Sequence, residues 1–303
     1  MRHLALINQK GGVGKTTSAV NLGAALALEG QRVLLVDLDP QANLSLHLDH
    51  TLTPEEHSTY SVLLGDSTIE EAIRPTTTAG LQLVASNIDL SGAELELASA
   101  FGRESLLRDA LVRWETEHEA KHGEPPVDYV IIDCPPSLGL LSINGLLAVN
   151  EVIVTMQTEF FALQGMSKLM EVFELIRQRM NPSLEICGIL PCLYDSRLRL
   201  AREVLAEIRK FFPGQVLPRP ISKNVKLAEA PSYGQTIFQY APKSPGAEDY
   251  RALGRVILEQ ETAAEVAAPP DELPEITLRP QPAEPAAKQA EAPAPAPSDL
   301  TDC

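Results

Sequence analysis

The chain has 303 residues, 44% of them hydrophobic and 5% aromatic, with a formal charge of −16. That length accommodates one large α/β domain or two modest ones around a core that needs no staples. So acidic a chain is excluded from holding nucleic acid through its bulk charge, which leaves only a local basic patch for that role.

Residues 1–10, MRHLALINQK, lack the apolar core of a signal peptide, and no apolar run reaches the roughly 18 residues of a bilayer span, so a cytoplasmic protein is expected. HLALI (3–7) reads as a buried strand, and TTSAVNLGAALALEG (16–30) as a helix with Gly30 at its end. RVLLVDLDP (32–40) is a second apolar strand that ends in acidic residues. Residues 91–121 are expected to be helical with a break near Gly102, and VDYVIIDCPPS is a buried strand halted by Pro135 and Pro136. EVIVTMQ (151–157) and LEICGILPCLY (184–194) read as strands on either side of a helix over 162–180. A helix over 199–212, a short strand GQVLP (214–218) and a helix over 247–261 complete the series.

Short apolar strands alternating with amphipathic helices predict an α/β, doubly wound, mostly parallel sheet covered by helices on both faces. Right-handed crossovers then bring the loop at 8–17 and the acidic strand ends at 37–40 and 133–136 to one edge, where ligands bind. Residues 1–261 are taken as this single domain. Residues 262–303 turn to Ala, Pro and acidic residues, with eight acids against two bases. They are expected to be a disordered tail, because such a composition buries too little apolar surface to offset ordering. Cys134, Cys187, Cys192 and Cys303 show no C-x-x-C spacing and no clustered histidines beside them, which fits thiols in a reducing compartment rather than a metal site or disulfides.

The chemistry is concentrated in NQKGGVGKTT (8–17), which follows the first strand. Gly11, Gly12 and Gly14, with Val13 between them, allow backbone N–H groups to wrap phosphate oxygens, and Lys15 supplies charge to the β- and γ-phosphates. Thr16 offers a hydroxyl to Mg2+, and Thr17 continues into a helix whose N-terminus faces the anion. The loop is predicted to bind ATP and Mg2+. Asp133, after the run YVII, fits the acidic residue that holds Mg2+ through water. Asp37 and Asp39 meet the same edge, and one of them would position the attacking water; the sequence does not rank the two. The usual first glycine of such a loop is replaced by Gln9, and a second lysine, Lys10, follows it. Crowding against Lys15 keeps Lys10 off the same phosphates, so it is either a solvated lysine or a cation that reaches a second molecule's nucleotide across a face-to-face homodimer.

KGGVGKTT together with Lys10 resembles the deviant Walker A box of the ParA/MinD group of P-loop ATPases. VLLVDLDPQAN, YVIIDCPPSLGLLSINGL and KNVKLAEAPSYGQTI resemble the ParA/Soj chromosome- and plasmid-partitioning branch, over about residues 2–260. The resemblance implies that Lys10 is a signature lysine acting across an ATP sandwich dimer, that Asp39 is the hydrolytic, metal-side aspartate and that Asp133 is the Walker B acid. It further implies a slow ATPase, stimulated by a ParB-like centromere-binding partner, that binds double-stranded DNA without sequence preference and associates with the nucleoid. Candidate DNA contacts are Arg197, Arg199, Arg202, Lys223 and Lys226; lysine in place of arginine keeps the charge but loses the bidentate fork.

Competing readings call for other features. A membrane-bound relative would need a basic amphipathic C-terminal helix, whereas this chain ends acidic and Pro-rich. An iron–sulfur relative would need cysteines bridging a dimer, and no helix-turn-helix segment precedes the loop. The alternative function is a related ATPase that positions a protein cargo or regulates replication initiation, which would tolerate neutralisation of the basic positions.

Overall fold

The computed structural model describes residues 1–159 and 162–264. Strands β1 (Arg2–Ile7), β2 (Val33–Asp37), β3 (Ile73–Pro75), β4 (Leu81–Val84), β5 (Tyr129–Asp133), β6 (Glu151–Gln157) and β7 (Glu185–Cys192) form one sheet in the order β3-β4-β2-β5-β1-β6-β7. All neighbours pair in parallel except β3, which runs antiparallel to β4 at one edge. The doubly wound, mostly parallel sheet expected from the sequence is therefore present.

The strands read as unbroken apolar runs because both faces are covered. In β1, Ala5 and Ile7 pack into one core while Leu4 and Leu6 pack into the other. The same alternation divides Leu34 and Val36 from Val33 and Leu35 in β2, and Val130 and Ile132 from Tyr129 and Ile131 in β5. One core is closed by the helix Lys15–Leu28 and by Tyr250, Leu253 and Ile257 of the C-terminal helix Pro245–Ala264. The other is closed by the helices Leu106–His122, Leu140–Leu147, Ala162–Arg179 and Arg199–Phe211. Gly23 permits close helix–sheet packing, since a Cβ there would lie 2.8 Å from the Leu35 side chain.

Three local expectations differ from the structure. Residues 88–99 form two short 3-10 turns around a one-turn helix, and the long helix starts only at Leu106. The chain at Gly102 adopts φ 67°, so the predicted break is wider than one residue. GQVLP does not extend a strand but touches the sheet through a single bridge, Val216 to Ile189, since Pro218 has no N–H to continue a ladder. Neither the edge strand β3 nor its neighbour β4 is legible in the sequence: IRP is three residues long and LQLV alternates too briefly to stand out. The expected tail falls, from residue 265 onward, outside the described residues.

The sheet order places the chemistry. β1 lies between β5 and β6, and β5 lies between β1 and β2, so the first two strand ends flank the third. In register, Leu6 of β1 and Asp37 of β2 both stand opposite Asp133.

Candidate active site

The loop after β1 turns back over the sheet edge through two left-handed glycines, Gly12 (φ 72°) and Gly14 (φ 97°). At Gly11 and Gly12 no atom lies within 4 Å of where a Cβ would stand, so the inner face of the loop is open backbone. Gly14 closes against the sheet instead, with the Cys192 Cβ 3.4 Å from its own missing Cβ. The helix Lys15–Leu28 then begins with no side-chain cap, so its first N–H groups are left free for an anion.

These features border a cleft of about 500 Å3 lined by Gly11, Gly12, Gly14, Lys15, Thr16 and Thr17 on one side and Asp39, Gln41, Asn43 and His47 on the other. Leu193, Pro136 and Pro231 form its apolar margin. Lys15 is 6% exposed, and burial pulls its ammonium below the usual lysine range while Asp133 and Asp39 act in the opposite sense. The Thr16 hydroxyl donates to Asp133 Oδ2 at 2.6 Å, and the other Asp133 oxygen is buried with no hydrogen-bond partner. Burial, reinforced by the neighbouring Asp37, pushes the Asp133 carboxyl up to about 8. A divalent cation beside Thr16 would answer both features, since it satisfies the orphaned oxygen and favours the charged carboxylate. The residues present therefore fit a Mg–nucleotide: glycine N–H groups and Lys15 for the phosphates, the Thr16 hydroxyl for the metal, and Asp133 behind it.

The geometry separates the two aspartates that the sequence left unranked. Asp37 is fully buried and occupied: Oδ2 accepts the Ser45 N–H at 2.9 Å and the Ser45 hydroxyl at 2.7 Å, and Oδ1 accepts the Asp39 N–H at 3.2 Å. Burial still raises its carboxyl to about 6, despite the bonds from Ser45. Asp39 is 7% exposed and lines the cleft, with Oδ1 accepting only the Gln41 N–H at 2.9 Å. Ser86 fixes the same segment from β4's end, its N–H donating to Ser45 Oγ and its hydroxyl to the Asp39 carbonyl. Asp37 is a positioning group, and Asp39 is the carboxylate presented to the cleft.

Lys10 is absent from the cleft lining. Its ammonium, 59% exposed, donates to Gln157 Oε1 at 2.8 Å at the end of β6 and to Glu159 Oε2 at 2.6 Å just beyond it. Gln157 also donates to the Gly12 carbonyl at 3.1 Å, bracing the loop from below. Neither Gln157 nor Glu159 was singled out in the sequence, because a polar residue after an apolar strand is what any strand end shows.

The basic candidates do not form one group. Arg197 and Lys223 line a second cleft together with Arg219, which sequence reasoning missed. There Arg197 pairs with Asp195 at 2.7 Å, and Arg219 pairs with the buried Asp249 at 2.6 Å. Arg199 is paired with Glu203, Lys226 with Glu229, and Arg202 donates to the Ser196 carbonyl. The strand ends at 192–194 and 218–220 divide between the clefts: Leu193 lines the phosphate cleft, while Tyr194 and Pro220 line the second.

The AAA domain family matches residues 1–186. The chromosome partitioning protein ParA of Myxococcus xanthus is 44% identical over 261 residues, covering 86% of this chain and 89% of that protein. The sporulation initiation inhibitor protein Soj of Bacillus subtilis is 42% identical, covering 84% of this chain and 97% of that one. Among solved structures, a cobyrinic acid a,c-diamide synthase from Mycobacterium smegmatis with bound ADP and magnesium superposes with a TM-score of 0.74 at 39% identity, covering 87% of this chain and 96% of its own. Relatives more than 40% identical over more than four fifths of the chain show where it falls, and the chain belongs to the ParA/Soj family of chromosome-partitioning P-loop ATPases.

Proposed function

We propose that this chain is a nucleotide-gated switch that hydrolyses ATP to ADP and phosphate. In this reading ATP and Mg2+ close a homodimer, the dimer holds double-stranded DNA without sequence preference, and hydrolysis releases the protomers. The observation that carries it is the division of labour between two lysines: Lys15 is buried in its own cleft, while Lys10 stands outside it on an exposed side chain. A cation that does not serve its own phosphates is free to serve a partner's, provided Glu159 and Gln157 release it. An exposed ion pair of this kind holds by no more than about 1 kcal/mol, so closure against a triphosphate can displace it.

Each site residue has a part in this reaction. The loop N–H groups and Lys15 orient the triphosphate and stabilise charge on the transferring group. Asp39 holds the attacking water in line with the bond that breaks, between the γ-phosphorus and the bridging oxygen. Mg2+, when bound, would neutralise charge on the phosphates, and Thr16, Asp133 and Asp39 are the residues that would hold it. The ADP and magnesium in the Mycobacterium smegmatis structure support this cofactor assignment.

DNA would be held by Arg197, Arg199, Arg202, Lys223 and Lys226, and a ParB-like centromere-binding protein would accelerate hydrolysis. The protein would then act in the cytoplasm on the nucleoid. The name of the Myxococcus relative supports a role in chromosome partitioning. One observation favours the second reading, the positioning of a protein cargo or regulation of replication initiation: Arg197, Arg199 and Lys226 are already paired with carboxylates.

Sedimentation and DNA binding decide the matter. The parent chain should dimerise with ATP and not with ADP, and Lys10→Ala should remain monomeric with both. Binding to random duplex DNA should require ATP, fall steeply with salt and be lost in Lys223→Glu/Lys226→Glu. Full ATP-dependent dimerisation of Lys10→Ala overturns the trans-acting lysine, DNA binding that ignores the charge reversal removes Lys223 and Lys226 from the DNA surface, and no DNA binding with either nucleotide moves the assignment to the second reading.

A further inference from the structure

Away from the nucleotide cleft, and sharing no residue with it, a groove of about 330 Å3 runs between the long helix Leu106–His122 and the short helices Thr59–Leu64 and Ile69–Ala72. Its floor is apolar, built from Leu64, Ile69, Leu106, Ala110 and Trp114. Leu64, Leu106 and Ala110 are only partly covered by the rest of the chain. Trp114 is 6% exposed in the floor, and its indole N–H donates to Glu70 Oε2 at 2.7 Å.

The rim has one sign. Asp66, Glu70, Glu71, Asp109 and Glu117 border the groove against a single cation, Arg113. Among the described residues, Asp109 is the one of these carboxylates in an ion pair, with Arg108 at 3.2 Å. Carboxylates concentrated around an apolar floor repel one another, and the repulsion is relieved by cations brought from outside.

We infer that this groove is a docking surface for a basic amphipathic helix of a partner protein, laid with its apolar face on Leu64, Leu106 and Trp114 and its lysines or arginines over the rim. In helix-in-groove recognition an amphipathic helix lays its apolar face into an apolar groove, and a basic flank on such a helix would meet the acidic rim here. The same charge excludes other occupants. Nucleic acid is repelled, and so is the chain's own segment 265–303, which carries eight acids and two bases. The inference goes beyond the nucleotide switch and does not depend on it.

Trp114 is the sole tryptophan of the chain, so the full-length protein reports on its own groove by fluorescence. The probe is a synthetic helix-forming peptide of about 15 residues with leucines on one face and lysines along its flanks. Two control peptides carry glutamate for lysine or serine for leucine. The expected result is a saturable change in Trp114 emission with the basic amphipathic peptide alone. Asp109→Lys/Glu117→Lys, at two exposed rim positions, should weaken it by about tenfold or more. Basal ATP hydrolysis of that variant should match the parent, which shows that it has folded. No change in emission, equal responses to the three peptides, or unaltered affinity in the variant overturns the inference. So does a nucleotide-free, concentration-dependent dimer of the parent that the same variant abolishes, since the groove would then be covered by a second copy.

Discussion

Asp37 and Asp39 are two positions apart on one strand end, yet burial gives them different work. The Asp37 carboxylate is spent on three donors from Asp39 and Ser45, whereas Asp39 keeps an oxygen toward the cleft. Asp39→Ala should reduce hydrolysis by about 10²-fold or more, with nucleotide affinity and the urea midpoint close to parent. Asp37→Ala should act through structure: it strands buried donors at Ser45 and Asp39, costing about 1–3 kcal/mol in urea unfolding, and lowers hydrolysis because Asp39 loses its anchor. Equal stability losses in the two variants would mean that the division of roles is wrong. At this scale the loop residues Gly11 to Thr17 were legible in the sequence, since each type serves one need of a phosphate. The ranking of the aspartates was not, because alternation along a strand stops at its end.

At the scale of elements, the short helix Asn43–His47 carries the Asp39 segment and is tied down at both ends. Ser45 binds Asp37, and His47 Nε2–H donates to the Gln235 carbonyl at 3.1 Å, joining the cleft wall to the segment before Ile237. That carbonyl can only accept, so Nε2 carries the proton, and burial holds the imidazole neutral with its pKa lowered to about 4. The unfolded chain takes up this proton near 6.5, so the stability His47 contributes is complete above that pH and is lost as pH falls toward 4. The size of the effect is up to about 3 kcal/mol. Asp37, raised to about 6, acts in the opposite sense between about 4 and 6, which makes the difference between variant and parent the informative quantity. His47→Gln keeps a donor for Gln235 and should flatten the loss of stability between pH 6.5 and 4, read as urea midpoints. An unchanged pH profile would remove His47 from the account. Element type was largely legible here: five of the strands and the long helices carry strong periodic patterns. The three-residue β3 and the fragmented 88–105 segment were not, because their conformations depend on what they pack against.

At the scale of the whole molecule, charge is unevenly divided. Residues 265–303 hold eight acids and two bases, a net of −6, which leaves −16 − (−6) = −10 for residues 1–264. If DNA is held through local cations, that surplus opposes binding from outside the site. Truncation after Ala264 should tighten ATP-dependent binding to random duplex DNA several-fold at low salt. The gain should shrink as salt is raised, because long-range repulsion is screened while phosphate contacts weaken in parent and variant alike. Equal affinities at low salt would show that this segment's charge does not reach the DNA surface.

Composition and periodicity alone determined the class of fold, the order of its main strands and helices, and the phosphate loop. These depend on local patterns, apolar runs and glycine spacing, that no distant contact needs to supply. Only the tertiary structure decided which aspartate faces the cleft, that Lys10 rests on Glu159 and Gln157, that Arg219 joins Arg197 and Lys223, and that an acidic groove opens beside Trp114. The last three join segments far apart in the chain, and their proximity is set by how helices pack on a twisted sheet rather than by any spacing along it.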